Sequence, residues 1–433
     1  MPWTRDDADH LLRRAGFGAS LSDVDRYFAL GQAGAIDALV NYESTPDPTW
    51  DNDTQFPNLV STDAYGSRVN LLVQFTNSTR PLQTRMLWFW HGHFTTSCWS
   101  NEFKYFRTTL QLYRANTLGN FGTLLNGVYK DAGMLLYLNG NGSNYAGPNQ
   151  NFARECMELY TVGLGTFTET DVREAARSFT GWGVSWPDGA VLFDWKQWDH
   201  NPKTILGQTA NFNGDSLTAM LAPRYETQWR LTSKLCRTFI NEQLNAAEQV
   251  RLQQIWSANG GDVRAVVRAM LTGTTFWDPV HRWTITKTPM DYALGLVHRF
   301  EIALDRSKLV DTINRISGMG YAVFDPPNVA GYRPTNLLVG TSSLLARYQF
   351  ASKVINEWAS DDTIAKFSAG WAAPFAPSVL ITQVASRMGS MPLAANTRAI
   401  IENYISTAPA TSVTQLTRNL AFMIACTAEY QLM

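Results

Sequence analysis

The chain is poor in the residues that cross-link a fold or ligate a metal: of 433 residues, four are cysteine and six are histidine. Cys98, Cys156, Cys236 and Cys426 lie far apart and form no Cys-x-x-Cys pair. That spacing argues against a disulfide or zinc framework and for free buried thiols. Neither charge sign is in surplus, because 36 basic residues meet 37 acidic ones. The basic excess of a nucleic-acid binder is therefore missing, and no nucleic-acid partner is expected. No apolar run approaches the ~18 residues of a membrane-spanning helix, so no span is expected. Met1-Pro-Trp-Thr-Arg-Asp-Asp runs directly into a capped helix with no signal peptide. The default expectation is a cytoplasmic location, with export by another route left open. Nucleophile elbows, Walker loops, dinucleotide fingerprints and repeats of fixed period are all lacking.

What the chain does have is rings and helical periodicity. Fifteen Trp, 16 Tyr and 22 Phe make up 12% of the residues. Such rings suit a protein that handles sugars, and they fill a core equally well. Thr4 and Asp7 form a capping-box pattern that opens a helix ending before Gly16. Helical patterns follow over residues 63–75, 82–90, 102–115 and 121–138, then from residue 215 to the end. Between residues 181 and 214 the pattern loosens, and a small β-hairpin is expected there with residues 190–195 as one arm. The expectation is a mainly α chain forming one large multi-helix domain over residues 1–433, with loops 139–148 and 318–334 near the site.

One stretch reads unlike the rest: Asn151-Phe-Ala-Arg-Glu-Cys-Met-Glu-Leu-Tyr-Thr-Val-Gly163. At about 100° per residue, Asn151, Arg154, Glu155 and Glu158 fall in one narrow polar sector on a largely apolar body. A helix of that kind is expected to be surrounded by protein, its polar groups meeting partners or a ligand.

Several segments together resemble the bacterial family known as domain of unknown function 1800. They include His10-Leu-Leu-Arg-Arg-Ala-Gly-Phe-Gly18, Trp88-Phe-Trp-His-Gly-His-Phe94, Asn151–Leu159 and Asp171–Trp182. Asp199-His200 with Lys203, Phe324-Asp-Pro-Pro-Asn-Val-Ala-Gly331 and the tail 427–432 complete the set. The resemblance runs nearly end to end, and it implies no particular activity. The chain departs from the family pattern at Asn139, where relatives tend to carry Asp, and at Tyr225-Glu226, near a usual His-Pro. Tyr321 replaces a usual Gln and Tyr332 a usual Trp. These departures fit a divergent branch with its own substrate.

Glu155 and Glu158, three apart on one face with Arg154 able to pair at i+4, form a candidate acid/base pair. A buried Arg–Glu network would explain them as well. Glycosidases take their two carboxylates from different elements, so Asp171 or Asp199 is the expected distant partner. Asn151, Arg173, Arg177, Trp182, Trp198 and Lys203 are candidate substrate-binding residues, Arg173 and Arg177 as a clamp four apart. His91 and His93 flank Gly92; two apart on an unbroken helix, they point about 200° from one another. They can share a metal only if Gly92 breaks the helix, with His200 and His10 as further ligands. The leading expectation is a hydrolase acting on a carbohydrate or glycan without a cofactor. The alternatives are a metal-dependent oxidase or hydrolase using a transition metal, and a non-catalytic glycan-binding protein.

Overall fold

A computed structural model of the chain describes residues 2–51, 64–99, 103–186, 189–243, 245–332, 335–369, 377–407 and 412–433. The end of loop 318–334 and the beginnings of the helices expected at 63 and 102 lie outside them.

The fold is mainly α, and its helices begin where the sequence supplies caps. Thr4 accepts from the Asp7 N–H, Thr168 from Asp171 and Thr288 from Asp291, each Asp carboxylate bonding back to the Thr N–H. Residues 121–138 form two helices, Phe121–Tyr129 and Ala132–Tyr137, where one was expected. The break falls at Asp131, whose carboxylate accepts from the Met134 N–H at 2.9 Å and starts a new helix.

The described strands pair as two antiparallel hairpins, both inside the expected insertion. β1 (Trp182–Val184) pairs with β2 (Val191–Phe193), and β3 (Lys203–Ile205) with β4 (Gln208–Ala210). The second hairpin was not expected, because three-residue strands are too short to show a period of two. Its turn has positive φ at Leu206 (51°) and Gly207 (79°), matching the twist of the flanking strands. β3 packs on the helix Glu169–Ser178.

Buried apolar residues form a core cluster running from Ala8 to Tyr430. The helix Arg5–Ala15 crosses it, buried from Ala8 onward. Its polar members are matched inside: Asp9 pairs with Arg13 at 2.8 Å and with Arg299. Arg14 donates to the carbonyls of Ile240 (3.1 Å) and His281 (2.8 Å). These partners tie the first family-like segment into the core. Among the described residues, no helix is long and apolar enough to cross a membrane.

Candidate functional site

The stretch beginning at Asn151 is an α-helix only over Asn151–Glu155 and widens into a π-helical turn over Cys156–Tyr160. Phe152, Ala153, Cys156, Met157 and Tyr160 are buried, whereas Asn151 is exposed and Arg154, Glu155 and Glu158 are half-buried. The helix is thus not enclosed as expected: its polar sector reaches water, and the apolar body alone faces the core. Arg154 does not close on Glu158 either. Its guanidinium makes two parallel bonds to Glu169, at 2.7 and 2.6 Å, because a planar fork fits a carboxylate side-on. Burial, and then the Glu158 charge, raise the Glu155 carboxyl above its ordinary range.

The far end of the same stretch serves a cavity through its backbone. A helix end leaves carbonyls without intrahelical partners. Here the Tyr160 carbonyl accepts from His93 Nε2 at 3.1 Å, and the Leu159 carbonyl accepts from Arg230 Nε at 2.9 Å. Gly163, at φ 86°, closes the turn by donating to the Met157 carbonyl at 2.8 Å. A Cβ there would stand 3.0 Å from Arg230 Nη1, so glycine also lets the guanidinium lie against the chain.

His93 ends the helix Pro81–His93. A carbonyl only accepts, so His93 carries its proton on Nε2 and offers the Nδ1 lone pair. That lone pair accepts from Lys234 Nζ at 2.8 Å. Burial, with the Lys234 and Arg230 charges behind it, holds His93 well below its usual range and therefore neutral. Lys234 sits on the helix Tyr225–Phe239. Burial, then the Arg230 charge one turn away, bring it down to about 7.

Lys234 and His93 open onto a cavity of about 600 Å³. One wall is aromatic: Trp88, Phe89, Tyr321 and Tyr332. Trp88 and Tyr332 stack at 5.3 Å, and Tyr321 and Tyr332 at 4.1 Å. The other wall is charged. It holds the buried pair Arg85–Asp291, together with Arg237 and Glu242, whose Oε1 accepts from the Thr286 N–H at 2.8 Å. A second cavity of about 540 Å³ adjoins the first, with Lys234 and Arg237 lining both. Val162, Gly163, Tyr225, Trp229 and Arg230 complete much of its wall. The departures from the family pattern at Tyr225-Glu226, Tyr321 and Tyr332 all lie on these walls.

The other sequence candidates take structural partners. Asp171 caps its helix and accepts from the Leu206 N–H at 2.7 Å. Arg177 is held by Asp199 (2.7 Å) and Glu174 (2.7 Å), which brings Asp199 down to about 2. Arg173 is exposed and bonds Thr170, so the two arginines do not form one clamp. Lys203 Nζ is buried against the carbonyls of Asp199 (2.6 Å) and Asn201 (3.0 Å) and Asn211 Oδ1 (3.2 Å). Trp182 packs on Tyr129 and Phe193, and Trp198 lies under Lys203.

The histidines do not converge. The helix runs unbroken through Gly92 to His93, so the condition for a shared metal is not met. His91 is enclosed by Trp88, Phe106, Phe324 and Tyr332, with neither ring nitrogen hydrogen-bonded. His200 is exposed and lies against Trp195 and Trp198, and His10 meets the Phe276 carbonyl. Among the described residues, no group of three or more His, Cys, Asp or Glu is placed to hold a metal ion.

The sequence reading missed Lys234. Its signal was a local conflict: Lys234 has Arg230 four residues before it and Arg237 three after, like charges where a helix favours opposite ones.

The model of a family described as a protein of unknown function, DUF1800, matches residues 10–432. The chain belongs to that family. No curated protein and no solved structure matches it.

Proposed function

We propose that the protein is an enzyme that works by proton transfer in the His93–Lys234 cavity, a hydrolase of a carbohydrate or glycan fragment. The observation that carries this reading is a lysine set into a cavity wall, with a neutral histidine as its hydrogen-bond partner and a pKa of about 7. Near that value an amine can take up and give back a proton at neutral pH. Lys234 takes a proton from water as the oxygen bonds the anomeric carbon and the glycosidic C–O bond breaks; the leaving oxygen takes its proton from solvent, to which Lys234 then releases its own. His93 orients the amine. Trp88, Phe89, Tyr321 and Tyr332 line the cavity and give a sugar an apolar surface to pack against.

The test is turnover of a panel of oligosaccharides and glycosides by wild type and Lys234→Met. The expected result is cleavage of at least one by wild type, reduced 10²-fold or more in the variant. Cleavage that survives Lys234→Met at full rate sinks the reading, and so does a panel left intact. If a glycan binds and is left uncut by wild type, the protein is a glycan-binding one.

A second reading keeps the acid at Glu155, because its raised carboxyl, with Glu158 beside it, is suited to holding a proton. On the same panel this reading expects Glu155→Gln, and not Lys234→Met, to abolish cleavage.

A further inference from the structure

We propose that the Tyr225–Phe239 helix presents Arg230, Lys234 and Arg237 as a binding site for an oxyanion, a carboxylate, phosphate or sulfate group of the ligand, at the junction of the two cavities. This rests on the same cavity as the proposed enzyme and adds the charge of what it holds.

Positions 230, 234 and 237 fall on one helix face. Lys234 and Arg237 line both cavities, and Arg230 lines the second. Among the described residues neither Lys234 nor Arg237 pairs with a carboxylate, unlike Arg177, which meets Glu174 and Asp199. Their acidic neighbours are already engaged. Asp291 is taken by Arg85, Glu226 lies 3.4 Å from Arg224, and Glu242 accepts from the Thr286 N–H. Glu158 acts on Arg230 from the signature turn. Two of the three cations are also held in place: Arg230 by the Leu159 carbonyl, Lys234 by His93 Nδ1. Like charges held together beside a cavity cost stability unless something of opposite sign is bound between them. Fixed donors of this kind, arginine above all, recognise oxyanions.

The arrangement couples binding to a proton. Lys234 is cationic only below about pH 7 in the empty site, with His93 neutral and the Arg230 charge acting on it. A bound anion stabilises its charged form, so binding near neutral pH takes up a proton and weakens as pH rises through that value.

Calorimetric titration of the full chain with inorganic phosphate, sulfate and glucuronate, with glucose as neutral control, tests the site. Wild type should bind at least one anion, about tenfold more weakly at pH 8.5 than at pH 6.5, with proton uptake visible in buffers of different ionisation enthalpy. Arg237→Ala should weaken binding at least tenfold, and Lys234→Arg, charged at both values, should remove the pH dependence. A wild type that binds none of the three overturns the proposal. So does anion binding that Arg237→Ala leaves unchanged, or that shows the same affinity at both pH values. Anion binding that passes these tests, with turnover indifferent to Lys234→Met, leaves this site standing and removes the proposed catalytic role. Turnover that needs Lys234 without anion binding does the reverse.

Discussion

Two of the cation clusters on this molecule differ in their surroundings. Where the insertion meets the helix Glu169–Ser178, Arg177 pairs with Glu174 and Asp199, and Lys203 is surrounded by three oxygens. At the cavity, Lys234 meets a neutral imidazole, and among the described residues Arg237 pairs with no carboxylate. A cation whose partners are already in place holds elements together, here β3 to the helix Glu169–Ser178. A cation held in position without a counter-charge has its electrostatic demand unmet in the folded chain, and a ligand can meet it. In a bare sequence both clusters are simply Arg and Lys among aromatic residues.

Four substitutions would break or sharpen that contrast. The largest effect is expected at Lys234. Its folded pKa, about 7, lies below the ordinary value, so between pH 7 and about 10 the unfolded chain binds more protons and stability rises with pH. Lys234→Met should therefore be more stable than wild type by roughly 3 kcal/mol at pH 6, the gain fading towards pH 10. Urea unfolding at pH 6, 8 and 10 reads it, and a variant less stable than wild type at pH 6 would make Lys234 a structural cation like Lys203.

Next comes Arg177→Met, which strands the Asp199 carboxylate and should cost about 2 kcal/mol at pH 7. Asp199 titrates near 2 in the fold, below its ordinary range, so the pair's contribution is present above about pH 4 and is lost as pH falls towards 2. Unfolding curves of variant and wild type should accordingly converge in acid. Curves that stay parallel down to pH 2 would mean the pair does not stabilise the insertion.

The smallest effect is expected at His91. Its ring is wholly buried without a hydrogen bond, so His91→Leu should shift stability by less than about 1 kcal/mol. His93→Leu, which removes the partner of both Lys234 and the Tyr160 carbonyl, should cost more. Equal losses at the two positions, measured by denaturant unfolding, would show that neighbouring histidines of one motif are interchangeable in the core.

Much of the frame was legible in the chain. The cap at Thr4, the loosened insertion and the mainly helical pattern are local features, written in residues three or four apart. The candidate site was legible only in part. The Asn151–Gly163 stretch does build the cavity, and its acidic side chains, its most visible feature, are not what reaches it. Its contribution comes through the Leu159 and Tyr160 carbonyls, and backbone carbonyls look alike at every position of a sequence. Arg154 had two acidic candidates, Glu158 and Glu169; which one it took depended on how the next helix packs.

By itself, then, the sequence determined the helical class, the places where helices start, the absence of a surplus charge and membership of the family. The family follows from its ordered motifs, the rest from composition and short-range periodicity. Only the tertiary structure decided which polar residues are matched and which are left facing a cavity. Lys234 and His93 lie 141 positions apart along the chain. Their meeting, and the burial that lowers the lysine's pKa, exist only once the two helices pack.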